Sequence, residues 1–177
     1  MAAPIPGQQE LTAGARRLAD IAIRLGLRVA TAESCTGGLL AKIITDLPGA
    51  SAHYAGGVVA YANDVKVKHL GVDPESLEAH GAVSREVALE MAAGARRRFR
   101  ADVAMAVTGI AGPEGGAPGK PVGTVWLAVA LPGGTAQARV KRFAGDRATV
   151  RDASVAAVLE MAAEAAGRAT YGPAAGD

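Results

Sequence analysis

The sequence of 177 residues has little cysteine, few aromatic residues and almost no net charge. One cysteine excludes an intramolecular disulfide and a cysteine-rich zinc site. Only 3% of the residues are aromatic, so few rings could stack against nucleobases. Lys and Arg number 19 against 17 Asp and Glu, and the net charge of +2 gives no strong electrostatic footprint for nucleic acid. We therefore expect no nucleic acid partner.

Long hydrophobic runs are absent as well. No run approaches the ~18 apolar residues that span a bilayer. The opening segment "MAAPIPGQQE" lacks the charged and apolar regions of a signal peptide. We expect a cytoplasmic protein that does not bind membranes. His53, His69 and His80 are scattered and belong to no HExxH or CxxC motif, so no metal site is predicted.

The sequence does contain alternating helix-like and strand-like segments, which predict an α/β fold with a layered sheet. The "PGG" between the last two strand-like runs is typical of a hairpin, so the sheet should be mixed. Residues 1–9 are predicted to be a flexible lead-in, residues 10–167 a single domain and residues 168–177 a flexible tail. The predicted helices cover residues 10–25, 36–45, 63–70 and 74–79, one that Ser84 caps, and a last one that Asp146 caps; the predicted strands cover residues 27–32, 54–61, 102–108, 124–131 and 135–143.

Three of the strand-like runs end in polar, glycine-rich turns, within residues 29–38, 58–66 and 103–116. In an open α/β sheet the carboxyl ends of parallel strands meet in one crevice, where ligands bind. We therefore expect the three turns to form one site.

The first turn, "TAESCTGG", combines hydroxyl groups, a carboxylate and two glycines. Ser34 or Thr36 could cap the helix that follows. Gly37–Gly38 would let a ligand approach the N-terminus of that helix, where an anion or an oxyanion is favoured. Glu33 has two interpretations: it orients Lys66, or it braces the turn.

The second turn, "YANDVK", places Tyr61, Asn63 and Lys66 within six residues. A lysine held near a serine in a partly desolvated cleft can lose its proton and act as a base. In the third turn, Thr108 precedes a loop over residues 109–123 with six glycines, whose backbone amides are candidate donors. Loops this long inside a compact domain are usually functional.

Together and in order, these turns resemble the C-terminal domain of the CinA competence/damage-inducible proteins, a family of nicotinamide-nucleotide amidases that includes stand-alone PncC enzymes. The matching motifs run from about residue 10 to residue 166: "TAESCTGG", "GGVVAYANDVKVKHLGV", "GAVS", "AVTGIAGPEGG", "KPVGTVWLAV" and "FAGDRATVR". The resemblance implies a three-layer α/β/α fold with a mixed, mostly parallel sheet, and one amidase domain over residues 10–167.

The resemblance also implies an activity. The expected reaction is hydrolysis of the nicotinamide amide of nicotinamide mononucleotide to nicotinate mononucleotide and ammonia, which returns pyridine nucleotide to NAD synthesis. It implies a small nucleotide as substrate, no metal, no cofactor and a homo-oligomer. The family has a serine where this chain has Ala62.

Carried across residue by residue, the resemblance makes Ser34 the nucleophile and Lys66 its base, a pair that can hydrolyse an amide without metal. Oxyanion donors would come from amides within residues 36–38 or 109–112. Arg147 and Arg151, four residues apart on the last helix, are both able to hold a phosphate. The predicted catalytic residues are Ser34, Lys66 and Tyr61, and the predicted substrate-binding residues are Glu33, Thr36, Gly37, Gly38, Asn63, Thr108, Gly109, Gly112 and Arg147.

Alternatives remain open at this point. Cys35 is a rival nucleophile, because thiols are intrinsically better than hydroxyls, although a lone cysteine is more often a small buried hydrophobe. The function could also be that of a catalytically silent domain that binds a nucleotide or a partner, linked to competence or DNA damage. A third alternative is an amidase or phosphatase that acts on a different nucleotide.

Overall fold

The computed structural model describes residues 7–169. Residues 1–6 of the predicted lead-in and residues 170–177 of the predicted tail lie outside the described residues. The described residues form six helices, five strands and two short 3-10 turns in this order: α1 (Gln8–Leu25), β1 (Val29–Glu33), α2 (Leu39–Thr45), a turn (Ala50–Ala52), β2 (Tyr54–Val59), α3 (Asn63–Leu70), α4 (Pro74–His80), α5 (Arg85–Phe99), β3 (Val103–Gly109), β4 (Thr124–Ala130), a turn (Pro132–Gly134), β5 (Ala136–Arg142) and α6 (Arg147–Arg168).

The five strands form one mixed sheet in the order β2-β1-β3-β4-β5. The β1 strand pairs in parallel with both β2 and β3, whereas β4 is antiparallel to both of its neighbours, β3 and β5. Two antiparallel pairings restore the original direction, so β1, β2, β3 and β5 all point the same way and β4 alone is reversed. The predicted mixed, mostly parallel α/β sheet is confirmed.

Helices cover both faces of the sheet. The α1, α2 and α6 helices pack on one face through side chains such as Leu18, Ile43 and Leu159. Along β3, Met105 and its alternate neighbours belong to this core, while Ala104 and its alternate neighbours belong to the opposite one. Large side chains therefore point to one face and alanines to the other, as the two-residue period of a strand requires.

The alanine-rich face lets helices lie close to the sheet, and one glycine extends this close packing to α3. Gly94 of α5 lies directly against the end of α3, where an added Cβ would be 2.9 Å from the Leu70 Cα. Real Cβ atoms essentially never come so close to another heavy atom. Gly94 therefore sets the position of α3, the helix that carries Lys66.

Most predicted elements are confirmed, with small differences at their ends. The predicted helix over residues 63–70 and the hairpin with its "PGG" turn are present. The Ser84 and Asp146 side chains accept hydrogen bonds from the Val87 and Thr149 amides, as helix caps do. The first helix begins at Gln8, two residues inside the predicted lead-in.

One helix boundary differs for a clear physical reason. The second helix begins at Leu39 rather than at residue 36. Gly37 and Gly38 have φ angles of 58° and 97°, in the left-handed region that a right-handed helix does not use. The two glycines therefore form a turn before the helix.

Within residues 7–169, no helix is long and apolar enough to cross a membrane.

Candidate active site

A cavity of about 280 Å³ opens at the carboxyl edge of the parallel strands. It brings together the turns that follow β1 and β2, the loop that follows β3, and the beginning of α6. The polar and charged residues that line it are Ser34, Cys35, Tyr61, Asn63, Lys66, Thr108, Glu114 and Arg147, and the loop residues Gly109, Ile110, Ala111, Gly112 and Gly115 complete that side. The three glycine-rich turns thus converge on one site.

At the base of this cavity, the Lys66 amine lies 3.1 Å from the Ser34 hydroxyl oxygen. The same Nζ donates to the backbone carbonyl oxygens of Ala60, at 2.8 Å, and Tyr61, at 3.1 Å. Carbonyl oxygens can only accept, so each of them fixes one N–H of the amine. In the neutral amine the third position is a lone pair, and the geometry directs it at the Ser34 O–H.

The environment of Lys66 favours this neutral form. The side chain is 1% exposed, and no carboxylate forms an ion pair with it among the described residues. Burial lowers the pKa of the Lys66 amine below its ordinary value of 10.5, because the charged form loses its hydration. A buried lysine with a lowered pKa that contacts a serine hydroxyl is the arrangement of a general base and its nucleophile.

Cys35 also lines the cavity, but its thiol is poorly suited to be a nucleophile. Burial, together with the nearby Glu33 carboxylate, raises the pKa of the Cys35 thiol to about 11, against the opposing effects of a backbone hydrogen bond and of Arg147 and Arg151. The reactive species is the thiolate, which is scarce at neutral pH when the pKa is that high. Of the two neighbours, Ser34 is therefore the better candidate.

The Glu33 carboxylate braces the turn from below. It is 1% exposed and accepts hydrogen bonds from the backbone amides of Gly38 and Leu40, both at 3.0 Å, and of Ala41, at 2.9 Å. These amides lie at the beginning of α2, which has no capping hydrogen bond from Ser34 or Thr36. The prediction that one of those hydroxyls caps the helix is wrong, because a longer side chain from the preceding strand reaches the amides instead.

This bracing limits which amides could stabilise an oxyanion. The Gly37 amide donates to the Ser34 carbonyl oxygen at 3.1 Å, and the Gly38 amide donates to Glu33. Thr36, Gly37 and Gly38 do not line the cavity. Among residues 7–169, by contrast, Ala111 and Gly112 line the cavity and their backbone amides have no acceptor. The loop after β3 therefore offers the more accessible donors.

Thr108 shapes the wall of the cavity. Its hydroxyl donates to the Ala82 carbonyl oxygen at 2.8 Å and so ties the end of β3 to the turn before α5. Ala82 and Val83 form that part of the cavity wall, a role that the sequence analysis did not give them. The motif "GAVS" marks this turn in the sequence, but its short apolar side chains carry no chemistry that would indicate a binding site.

Arg147 and Tyr61 lie at the mouth of the cavity. Arg147 Nη1 donates to the Gly112 carbonyl oxygen at 2.9 Å and Nη2 to the Tyr61 hydroxyl at 3.1 Å. Arg151, one turn further along α6, instead donates to the Thr36 carbonyl oxygen at 2.7 Å, behind the turn. The two arginines thus contact different sides of the site.

No group of three or more His, Cys, Asp or Glu residues able to hold a metal ion occurs within the described range.

Comparison with known proteins places the chain in a family. The family model described as the CinA C-terminal domain matches residues 11–166, nearly the whole chain. The chain belongs to the CinA C-terminal domain family. The predicted family is therefore confirmed, and with it the α/β fold.

Relatives of this CinA domain include curated proteins and solved structures. A CinA-like protein of Mycolicibacterium paratuberculosis is 52% identical over 161 residues, which cover 88% of this chain and 37% of the relative. One from Mycolicibacterium gilvum is 55% identical over 140 residues, 79% of this chain and 33% of the relative. The chain thus spans about a third of the length of these curated relatives.

The solved structures match over almost their full length. The competence/damage-inducible protein CihA of Agrobacterium tumefaciens is 46% identical with a TM-score of 0.87, covering 94% of this chain and 99% of that one. A competence-damaged protein (CinA) superfamily protein of Escherichia coli is 40% identical with a TM-score of 0.83, covering 90% and 92%. The CinA domain described here therefore matches nearly the whole of each of these two solved chains.

Proposed function

We propose that this CinA domain is a metal-independent amidase that hydrolyses the carboxamide of nicotinamide mononucleotide, with Ser34 as nucleophile and Lys66 as general base. The observation that carries the proposal is the 3.1 Å contact between Lys66 Nζ and Ser34 Oγ inside a cavity. Two carbonyl oxygens orient the amine, and its lowered pKa favours the form that accepts a proton.

In the first half of the proposed reaction, Ser34 Oγ attacks the carboxamide carbon while Lys66 takes the hydroxyl proton. The negative charge that develops on the carboxamide oxygen is stabilised by backbone amides, for which the Ala111 and Gly112 amides are candidates. When the intermediate collapses, the C–N bond breaks and Lys66 returns the proton to the leaving nitrogen. Ammonia departs, and an ester links the pyridine acyl group to Ser34.

In the second half, water replaces ammonia. Lys66 takes a proton from the water, whose oxygen attacks the ester carbon, and the ester C–O bond breaks. The proton returns to Ser34 Oγ, so nicotinate mononucleotide is released and both side chains regain their starting states. One buried amine thus serves as base and acid in turn, as general acid–base catalysis allows when its pKa lies close to the working pH.

The first experiment measures ammonia release from nicotinamide mononucleotide by the wild-type protein and by Ser34→Ala. The exposed Ser51, which precedes β2 at the opposite edge of the sheet, gives a matched control in Ser51→Ala. We expect release by the wild type and the control and none above background from Ser34→Ala, with circular dichroism confirming that all three fold. Near-normal turnover by Ser34→Ala would contradict the assignment of the nucleophile.

A second experiment traps the proposed ester. Hydroxylamine competes with water for an acyl-enzyme, so its addition should divert product from nicotinate mononucleotide to the corresponding hydroxamate. Tight binding of nicotinamide mononucleotide without ammonia release would instead support the alternative of a catalytically silent binding domain.

The homo-oligomer that the family resemblance implies stays a prediction, which light scattering of the purified protein can test.

A further inference from the structure

Arg147 connects two walls of the cavity. Its Nη1 donates to the carbonyl oxygen of Gly112, in the loop after β3, at 2.9 Å. Its Nη2 donates to the hydroxyl of Tyr61, in the turn after β2, at 3.1 Å. Arg147 is the first residue of α6, so a third element of the fold supplies the bridge.

The bridge determines what the Tyr61 hydroxyl can do. A guanidinium group only donates hydrogen bonds, so the Tyr61 oxygen must be the acceptor in this contact. The phenol proton is then free to be donated, and the hydrogen bond from Arg147 is the one contact of the Tyr61 hydroxyl within residues 7–169. The same residue also holds the base, because the Tyr61 carbonyl oxygen accepts from Lys66 Nζ. Tyr61 therefore presents a proton at the mouth of the cavity while its backbone orients Lys66.

We propose that Arg147 is a positioning residue that acts through Tyr61, and that Tyr61 donates its phenol proton to the bound substrate. This inference rests on the proposed function. It differs from the direct phosphate contact predicted from the sequence, because the contacts that Arg147 makes are to the protein itself. Only two of its five N–H groups are used in these contacts, so an experiment has to separate the two roles.

A double-mutant cycle separates them. The variants are Arg147→Met, Tyr61→Phe and the combination of both, with Arg142→Met as the control, since Arg142 is an exposed arginine at the end of β5 and does not line the cavity. The kcat and KM for ammonia release from nicotinamide mononucleotide are measured for each protein. A residue that acts through Tyr61 loses its effect once the hydroxyl is gone.

We expect Tyr61→Phe to lower kcat by about tenfold or more. Arg147→Met should lower kcat about fivefold with little change in KM, since the charge-assisted hydrogen bond that positions the Tyr61 hydroxyl at this exposed site is lost along with the one to Gly112. In the Tyr61→Phe background, Arg147→Met should change kcat by less than about twofold. A large rise in KM in both backgrounds with kcat unchanged would overturn the inference in favour of direct phosphate binding, and full activity of Arg147→Met would overturn it as well.

A readout independent of activity keeps this test distinct from that of the proposed function. The ring resonances of Tyr61 can be assigned by nuclear magnetic resonance through their loss in Tyr61→Phe. Arg147→Met should shift them, and Arg142→Met should not. If the wild type releases no ammonia, the proposed function fails while the contact is still tested; if the wild type is active and the resonances do not move, the inference about Arg147 fails by itself.

Discussion

Replacement of Lys66 by methionine should abolish activity without unfolding the protein. Methionine has nearly the same length as lysine and fills the same buried space, but it has no amine. Loss of a general base typically lowers kcat by about 10²–10⁴-fold, so ammonia release should fall by at least about 100-fold. Lys68→Met is the matched control, because the Lys68 side chain is 70% exposed and forms an ion pair with Asp64 on the same helix.

The effect of Lys66→Met on stability has two opposing parts. The substitution removes three hydrogen bonds of Nζ, worth about 1 kcal/mol each, and leaves the Ala60 and Tyr61 carbonyl oxygens without this donor. It also removes the penalty for keeping a charged amine buried, which offsets part of that loss at neutral pH. We therefore expect the free energy of unfolding at pH 7 to fall by less than about 3 kcal/mol.

The pH dependence of stability gives the sharper result. Because the pKa of Lys66 is lower in the folded protein than its ordinary value of 10.5, the unfolded chain binds more protons between these two values. The free energy of unfolding of the wild type should therefore gain a contribution that grows as pH rises towards 10.5, and Lys66→Met should lack it. The gap between the two proteins, measured by urea unfolding at several pH values, should widen with pH.

Two results would refute this reasoning. If the stability gap between the wild type and Lys66→Met stays constant up to pH 10, Lys66 is not desolvated as the structure implies. If Lys66→Met keeps more than about a tenth of the wild-type kcat, Lys66 is not the base. The same pKa direction predicts that kcat/KM of the wild type rises with pH and that the midpoint of the rise lies below pH 10.5.

Four further predictions concern other parts of the site. Cys35→Ala should keep ammonia release within about threefold of the wild type, since a thiol with a pKa of about 11 is not the nucleophile; rapid inactivation by a thiol alkylator would speak against this. Glu33→Ala should lower the free energy of unfolding by about 3 kcal/mol in urea, because one buried and two part-buried amides lose their acceptor, whereas the exposed Glu78→Gln should leave it unchanged. Gly94→Ala should cost about 1–3 kcal/mol and lower kcat as well, since α3 must move away from α5 and takes Lys66 with it; unchanged thermal unfolding would contradict that packing argument. Ammonia release should be the same with and without EDTA, and its loss on chelation would point to a metal-dependent reaction.

The sequence predicts those parts of the fold that depend on local pattern. The α3 helix, the hairpin and the caps at Ser84 and Asp146 all follow from residue spacing and turn chemistry, and the structure contains them. Convergence of the three turns also follows from a general rule, that ligands bind at the carboxyl ends of parallel strands. The Ser34–Lys66 contact needed more than pattern, because the two residues lie 32 positions apart.

The roles that could not be predicted depend on which partner the polar end of a side chain contacts in the folded protein. From the sequence, Glu33 could either orient Lys66 or brace the turn. The structure shows that its carboxylate accepts hydrogen bonds from three amides at the beginning of α2 rather than from the amine of Lys66. In the same way, the phosphate role predicted for Arg147 follows from its charge, whereas its contacts with Gly112 and Tyr61 follow from the packing of α6. Composition identifies a charged group, but tertiary packing determines its partner.

The reversed strand β4 has a consequence for how such a site can be altered. Between β3 and α6 the chain changes direction twice, so α6 begins at the same edge as the cavity. With one strand fewer, α6 would begin at the other edge, about 23 Å away for strands of seven residues at ~3.3 Å each, and neither Arg147 nor Arg151 would reach the site. The site therefore requires an even number of strands between β3 and α6. Insertions in the turn at Pro132–Gly134 keep the number of strands even. Removal of β5 would instead separate the two arginines from Ser34 and Lys66, even if every remaining residue were unchanged.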